Sequence, residues 1–318
     1  MNSQPLSFDI LNALTFDLKV TNQIPKELIH NGESYNVEDY PYVVSIKISY
    51  PRYNSPQETC AGSLIHTLLV LTTAHCVYEI EENYIKVYQG SWFHNSLSRR
   101  VVKKYVHEEY DPDTHEGFIS SDVSVLKIDK PFMTVQKYIN IGGFPDDFAD
   151  EKVLDCIVLG FGLINEHTMG TEGFMSHVKV KYGEQACRGY NSKAIKYTWD
   201  QYLCTIPGQN TTCQGDNGGP MICNGLLYGV CSFALNYHGE KEKQLCGSEN
   251  LQTVHMFIFY FKNWINDIIH YELVTTTKKS DPKKKRPKIN KRKSAGELIK
   301  PHIILYMISA LLFYNLVL

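Results

Sequence analysis

Residues 213–220 read Cys213-Gln214-Gly215-Asp216-Asn217-Gly218-Gly219-Pro220, and no other stretch narrows the fold so far. Two further segments belong with it. Leu71-Thr72-Thr73-Ala74-His75-Cys76 carries a histidine, and Ser121-Asp122-Val123-Ser124-Val125-Leu126-Lys127 carries an aspartate. Taken singly, His75 reads as an ordinary partly buried histidine and Asp122 as a charge at a strand start. Their order, His75, Asp122, Asn217, gives them joint meaning. Around them lie many short runs rich in Val, Ile and Tyr, among them 84–87, 101–106, 153–159 and 177–180, separated by Gly, Pro and Asn turns. That spacing predicts an all-β barrel or sandwich rather than a parallel α/β fold.

The three segments together resemble the chymotrypsin/trypsin family of serine proteases. The first is similar to its G-D-S-G-G-P nucleophile loop, the second to T-A-A-H-C, and the third to D-I-A-L-L-K. The chain order His, Asp, nucleophile is that family's and not that of subtilisins or α/β-hydrolases. Ile29-His30-Asn31-Gly32 and Tyr40-Pro41-Tyr42-Val43 resemble its mature amino terminus, and Trp264-Ile265 its closing helix. The resemblance covers 29–271. It implies two antiparallel six-stranded β-barrels, at about 29–131 and 132–271, with a C-terminal helix and a cleft between the barrels.

The resemblance assigns His75 as general base, Asp122 as its orienting carboxylate and Asn217 to the serine position. A carboxamide has no ionisable O–H, so no neighbouring base can turn it into the nucleophile that acyl transfer needs. Loss of one triad member in such enzymes costs about a million-fold in turnover, leaving roughly 10³–10⁴-fold over water. The backbone N–H groups of Gly215 and Asn217 correspond to the oxyanion hole and do not depend on the side chain. The Asn217 side chain is also expected to donate to His75 and to occupy the oxyanion hole itself, closing the site. Thr211 stands at the floor of the specificity pocket, so Arg or Lys preference is unsupported. Phe233 and Ala234 form its wall, where the alanine methyl intrudes in place of glycine. Asp216 matches the aspartate that captures a freed Ile29 amino group. The preceding residue is Leu28, however, and a trypsin-like activator does not cut there.

The chain has nine cysteines. The family pattern pairs Cys60 with Cys76, Cys156 with Cys223, Cys187 with Cys204 and Cys213 with Cys246. Cys231 is left over and reads as a small buried hydrophobe. Four disulfides imply an oxidising compartment, outside the cell or at its surface. Residues 1–28 lack a basic start and a clean apolar core, and read as a pro-segment or a wrongly assigned amino terminus rather than a signal peptide. Asn210-Thr211-Thr212 is a glycosylation sequon. No H-E-x-x-H or C-x-x-C arrangement occurs, so neither a metal nor a cofactor is expected.

Charge is split along the chain. Ten of the 32 Lys/Arg and one of the 34 Asp/Glu lie within 278–293, a run of about +9. The remaining 22 basic and 33 acidic residues leave the body at about −11. Within the linker at 272–300, the basic run reads as solvated chain or as a contact for glycosaminoglycan or acidic lipid. It also resembles a nuclear-localisation signal, but disulfide-stapled barrels argue against the nucleus and against nucleic acid as partner. Ser294-Ala295-Gly296, a short polar spacer and the apolar tail at 301–318 form a GPI-attachment pattern, with Ser294 as the attachment site. The rival is a spanning helix, which the basic run would orient wrongly. The leading expectation is a membrane-tethered serine protease homologue without endopeptidase activity, which binds a protease, inhibitor or substrate. The alternatives are an active extracellular serine endopeptidase and a glycan-binding surface protein.

Overall fold

The computed structural model describes residues 32–49, 58–91, 97–112, 120–165, 168–169, 173–187, 193–208, 210–213, 215–237 and 248–279. Its strands are β1 (Glu33–Ser34), β2 (Val43–Ile48), β3 (Glu58–His66), β4 (Leu69–Thr72), β5 (Ile85–Gln89), β6 (Ser98–Val106), β7 (Ser124–Ile128), β8 (Leu154–Gly160), β9 (Leu163–Asn165), β10 (Thr168–Met169), β11 (Phe174–Lys181), β12 (Tyr202–Thr205), β13 (Pro220–Cys223), β14 (Leu226–Asn236) and β15 (Leu251–Phe257). Two α-helices, α1 (Lys193–Thr198) and α2 (Ile258–Lys279), and three short 3-10 helices accompany the strands.

Six strands close the first barrel in the order β2-β3-β4-β7-β6-β5. Its inner face carries Ile46, Leu64, Val70, Val87 and Leu126, all inaccessible to water. β-Branched side chains suit this pleated interior because their χ1 is already restricted. The second barrel runs β8-β11-β12-β15-β14-β13 and closes through the β13–β8 pairing. Along β11 the period of two is visible. Ser176, Val178 and Val180 point inward while His177, Lys179 and Lys181 are exposed. Asn224 and Gly225, both at positive φ, form the two-residue turn between β13 and β14, where Cys223 pairs with Leu226. Asn-Gly is the sequence such a turn prefers, because both central residues must adopt left-handed backbone.

Both ends of the fold cross over. β1 pairs with β11, so the first strand joins the second barrel rather than the first. α2 buries Phe261, Ile265, Ile268 and Glu272, an i, i+4, i+7, i+11 stripe. His107 of barrel one meets Phe261 edge-to-face and Trp264 at a tilt, with ring centroids 5.2 and 5.0 Å apart. Glu272 accepts hydrogen bonds from Tyr105 and Lys127, both on barrel-one strands.

Disulfides join Cys60 to Cys76, Cys156 to Cys223 and Cys187 to Cys204, marking a protein of an oxidising, extracellular compartment. Cys213 is disulfide-bonded, and Cys246 lies outside the described residues. Cys231 is free and buried, and burial first, then its anionic neighbours, push its thiol up to about 12. No helix among the described residues is long and apolar enough to cross a membrane. Ile29, most of the basic run, Ser294 and the apolar tail also lie outside the described residues.

Candidate functional site

His75 sits on the helical turn that follows β4. The amides of Val77 and Tyr78 both bond back to Ala74 O, at 2.9 and 2.8 Å. The Cys60–Cys76 disulfide ties this turn to β3 beside the histidine. Asp122 lies two residues before β7, completely buried. The preceding Ser121 adopts left-handed backbone and donates its N–H to Gln201 Oε1 at 2.8 Å.

The Asp122 carboxylate accepts three hydrogen bonds. Its Oδ1 accepts the His75 backbone N–H at 2.7 Å, and its Oδ2 accepts from His75 Nδ1 at 2.7 Å and from the Ser232 hydroxyl. A buried carboxylate needs such donors to remain charged. The same contacts set the imidazole. Burial pushes the His75 proton off, but the charge and hydrogen bond of Asp122 outweigh it, so its pKa lies above the ordinary histidine value. With the Nδ1 proton committed to Asp122, the Nε2 of neutral His75 is an acceptor.

That acceptor faces Asn217. The carboxamide Nδ2 lies 3.1 Å from His75 Nε2 and serves as the donor. Asn217 belongs to the loop between β12 and β13, so the contact bridges the two barrels. The loop is held by its backbone. Ala61 N–H donates to Asn217 O at 2.7 Å, Gly218 N–H to Cys231 O at 2.7 Å, and Gly219 N–H to Asp216 O at 2.8 Å. Gly215 and Gly218 have φ of 98° and 84°, left-handed backbone that side chains disfavour.

Asp216 is wholly buried behind this loop and accepts the N–H groups of Gly162 and Cys213, each at 2.8 Å. Burial pushes its carboxyl up to about 6, against the pull of those two bonds. A Cβ at Gly160 or Gly162 would come within 2.0 or 2.7 Å of the carboxylate, so both glycines make room for it. Thr211 is buried, while Phe233 and Ala234 are half-buried on β14, opposite Val254 and Thr253. Asn210 is exposed, and its Nδ2 donates to His177 O at 2.9 Å.

Cys60, His75 and Cys76 place three ligand-type atoms within 4.8 Å of one another. Both sulfurs are committed to the disulfide, so no thiolate is available to hold a metal. The bond from Ser232 to Asp122 is not visible in the sequence. A serine on a strand has no sequence signal that names its partner.

A family model described as Trypsin matches residues 29–265. Hypodermin-A of Hypoderma lineatum is 28% identical over 214 residues, covering 65% of this chain and 78% of that protein. A trypsin of Saccharopolyspora erythraea is 30% identical over 214 residues, covering 64% of this chain and 86% of its own length. Trypsin, alkaline A, of Manduca sexta is 26% identical over 266 residues, covering 82% of this chain and 98% of that protein. The solved structure of HL collagenase has the same fold, with a TM-score of 0.61 at 21% identity, covering 76% of this chain and 99% of that one. With the paired barrels, the disulfides and a family match spanning most of the sequence, the chain belongs to the trypsin family.

Proposed function

We propose that this trypsin-family domain has lost endopeptidase activity and acts by binding a protein partner (a protease, inhibitor or substrate) through its cleft and loops. One observation carries the reading. The atom that would accept a proton from an attacking hydroxyl, His75 Nε2, is occupied by the Asn217 carboxamide at 3.1 Å. The amide nitrogen's lone pair is delocalised into its carbonyl, so accepting an N–H bond there creates no nucleophile. His75 and Asp122 keep the geometry of a base and its orienting carboxylate, with nothing to activate.

The family's own activity supplies the second reading, an active endopeptidase with a substitute nucleophile. The nearby hydroxyls and thiol are poorly suited to that role. Ser232 is buried and donates to Asp122. Thr212 is buried and accepts from Cys231 Sγ at 3.1 Å. The Cys231 thiol holds its proton up to about 12.

A fluorophosphonate probe applied to the full chain and to Asn217→Ser decides between the two. Labelling of the variant alone supports a scaffold silenced at one side chain. Labelling of the native chain overturns the reading.

The same proposal places the protein at an outer membrane surface. Its support is the basic run at 278–293, and Ser294 followed by an apolar tail. Release from cells by a phosphatidylinositol-specific phospholipase would support the GPI anchor. Loss of heparin retention on deleting 278–293 would support a sulfated-glycan contact for the run.

A further inference from the structure

The turn that carries His75 ends in a cluster of backbone carbonyls. Val77 O, Tyr78 O and Ile80 O converge on one atom, Lys104 Nζ, at 2.7, 2.6 and 2.6 Å. Carbonyls at the end of a helical turn carry its negative end, and Val77 O also accepts the Ile80 N–H at 3.2 Å. A cation is the natural cap for them. Three acceptors require three N–H donors. A neutral amine has only two, so Lys104 is held as the ammonium, with every proton used.

Lys104 lies on β6 opposite Leu126 of β7, the strand that follows Asp122. Burial lowers its pKa below the ordinary lysine value, and the charges of Glu82 and Glu79 only partly oppose that. The lysine therefore ties the far end of the His75 turn to the strand pair next to Asp122. The Cys60–Cys76 disulfide ties the near end to β3. An imidazole fixed at both ends of its turn can present Nδ1 to Asp122 and Nε2 to Asn217 at once.

We propose that Lys104 is a positioning residue for His75: a tethered cation in a three-carbonyl cage that sets the ring's orientation between Asp122 and Asn217. This rests on reading His75, Asp122 and Asn217 as one site, but its test does not depend on labelling by an activity probe.

The test is nuclear magnetic resonance of the histidine ring protons in the full native chain, in Lys104→Met and in Lys104→Ala. The His75 Nδ1 proton, hydrogen-bonded to Asp122, gives a low-field signal protected from exchange. Lys104→Met, which keeps the unbranched stem and loses the ammonium, is expected to lose that signal to exchange. Lys104→Ala is expected to lose it too and to regain it on adding n-propylammonium, which restores the missing atoms. Sodium chloride at equal ionic strength is expected to do nothing.

His255, buried in barrel two with its Nε2 3.1 Å from Thr253 Oγ1, reports on the fold independently and should not move. An unchanged His75 signal in both variants overturns the proposal. So does simultaneous loss of the His75 and His255 signals in either variant, because Lys104 would then hold the fold rather than the turn. In the Asn217→Ser background a second readout applies. Misplacing a reacting group by about 1 Å can cost about 100-fold in rate, and Lys104→Met is expected to slow probe labelling by that order. Absence of labelling in Asn217→Ser itself would count against the site reading and leave the resonance test of Lys104 intact.

Discussion

The Ser232 hydroxyl donates to Asp122 Oδ2, the same oxygen that accepts from His75 Nδ1. Ser232 is on β14 of barrel two, and Asp122 precedes β7 of barrel one. The orienting carboxylate is thus fixed by both halves of the molecule.

Ser232→Ala removes one donor from a completely buried carboxylate. The expected cost is about 1–3 kcal/mol of folding stability, read from urea denaturation. The variant should also raise the His75 pKa, because a less solvated Asp122 anion attracts the imidazolium more strongly. A His75 titration that moves down instead would contradict the bond.

Asn217→Asp tests the bond to Nε2 directly. It exchanges a neutral donor for an anion about 3 Å from the ring, and an opposite charge at that range raises a pKa by about 1–3 units. The sign for stability follows. The folded His75 pKa already lies above its unfolded value. Its stabilising contribution is therefore complete below the unfolded value of about 6.5 and is lost as pH rises through the folded one. In Asn217→Asp that loss should occur at higher pH than in the native chain. An unchanged midpoint in a resonance titration would show that the residue 217 side chain is not at Nε2.

Much of this site was legible in the sequence because its parts sit in short contiguous segments. His75, Asp122 and the 213–220 loop each carry enough neighbours to be identified, and the strand runs were marked by Val, Ile and Tyr between Gly, Pro and Asn turns. What was not legible depends on packing between distant segments. Ser232 meets Asp122 across 110 residues, and Lys104 meets the Val77–Ile80 carbonyls across 24 to 27. A lysine in Arg99-Arg100-Val101-Val102-Lys103-Lys104 reads simply as strand charge. Nothing local shows that one of these four cations is turned onto a turn's carbonyls, while Arg100 pairs with Asp129 at 3.3 Å. The crossing of β1 onto barrel two was hidden for the same reason, since a two-residue strand takes its partner from tertiary structure.

His255 contributes to the acid limb of stability. It is inaccessible to water, and burial lowers its pKa from 6.5 to about 3. Between those values the unfolded chain binds the proton and the folded chain does not. His255 therefore costs stability as pH falls from about 6.5, at up to about 1.4 kcal/mol per pH unit. Asp216 acts in the opposite sense. Its folded pKa is raised from 3.8 to about 6, so its contribution is complete below about 3.8 and is lost as pH rises through about 6. The comparison that isolates His255 is the stability of His255→Leu minus that of the native chain. This difference should grow in the variant's favour from pH 6 to pH 4. A constant difference across that range would show that His255 titrates normally.

Gly218 is where the Asn217 loop presses on barrel one. An added Cβ would lie 2.2 Å from both Ala61 O and Thr72 Oγ1, and the Thr72 hydroxyl already donates to Ala61 O at 2.8 Å. Gly218 also has φ +84°. Gly225, at φ +74°, has nothing within 4 Å of an added Cβ. Alanine at either site carries the left-handed backbone penalty of roughly 1–2 kcal/mol, but only Gly218→Ala must also push the loop off β3. Gly225→Ala is expected to cost about that penalty, and Gly218→Ala about 2 kcal/mol or more beyond it. Gly218→Ala should also break the Asn217–His75 bond, because the loop cannot retreat without carrying Nδ2 away from Nε2. Equal denaturation midpoints for the two variants, with an unaltered His75 signal, would mean that the loop is not packed against Ala61 and Thr72.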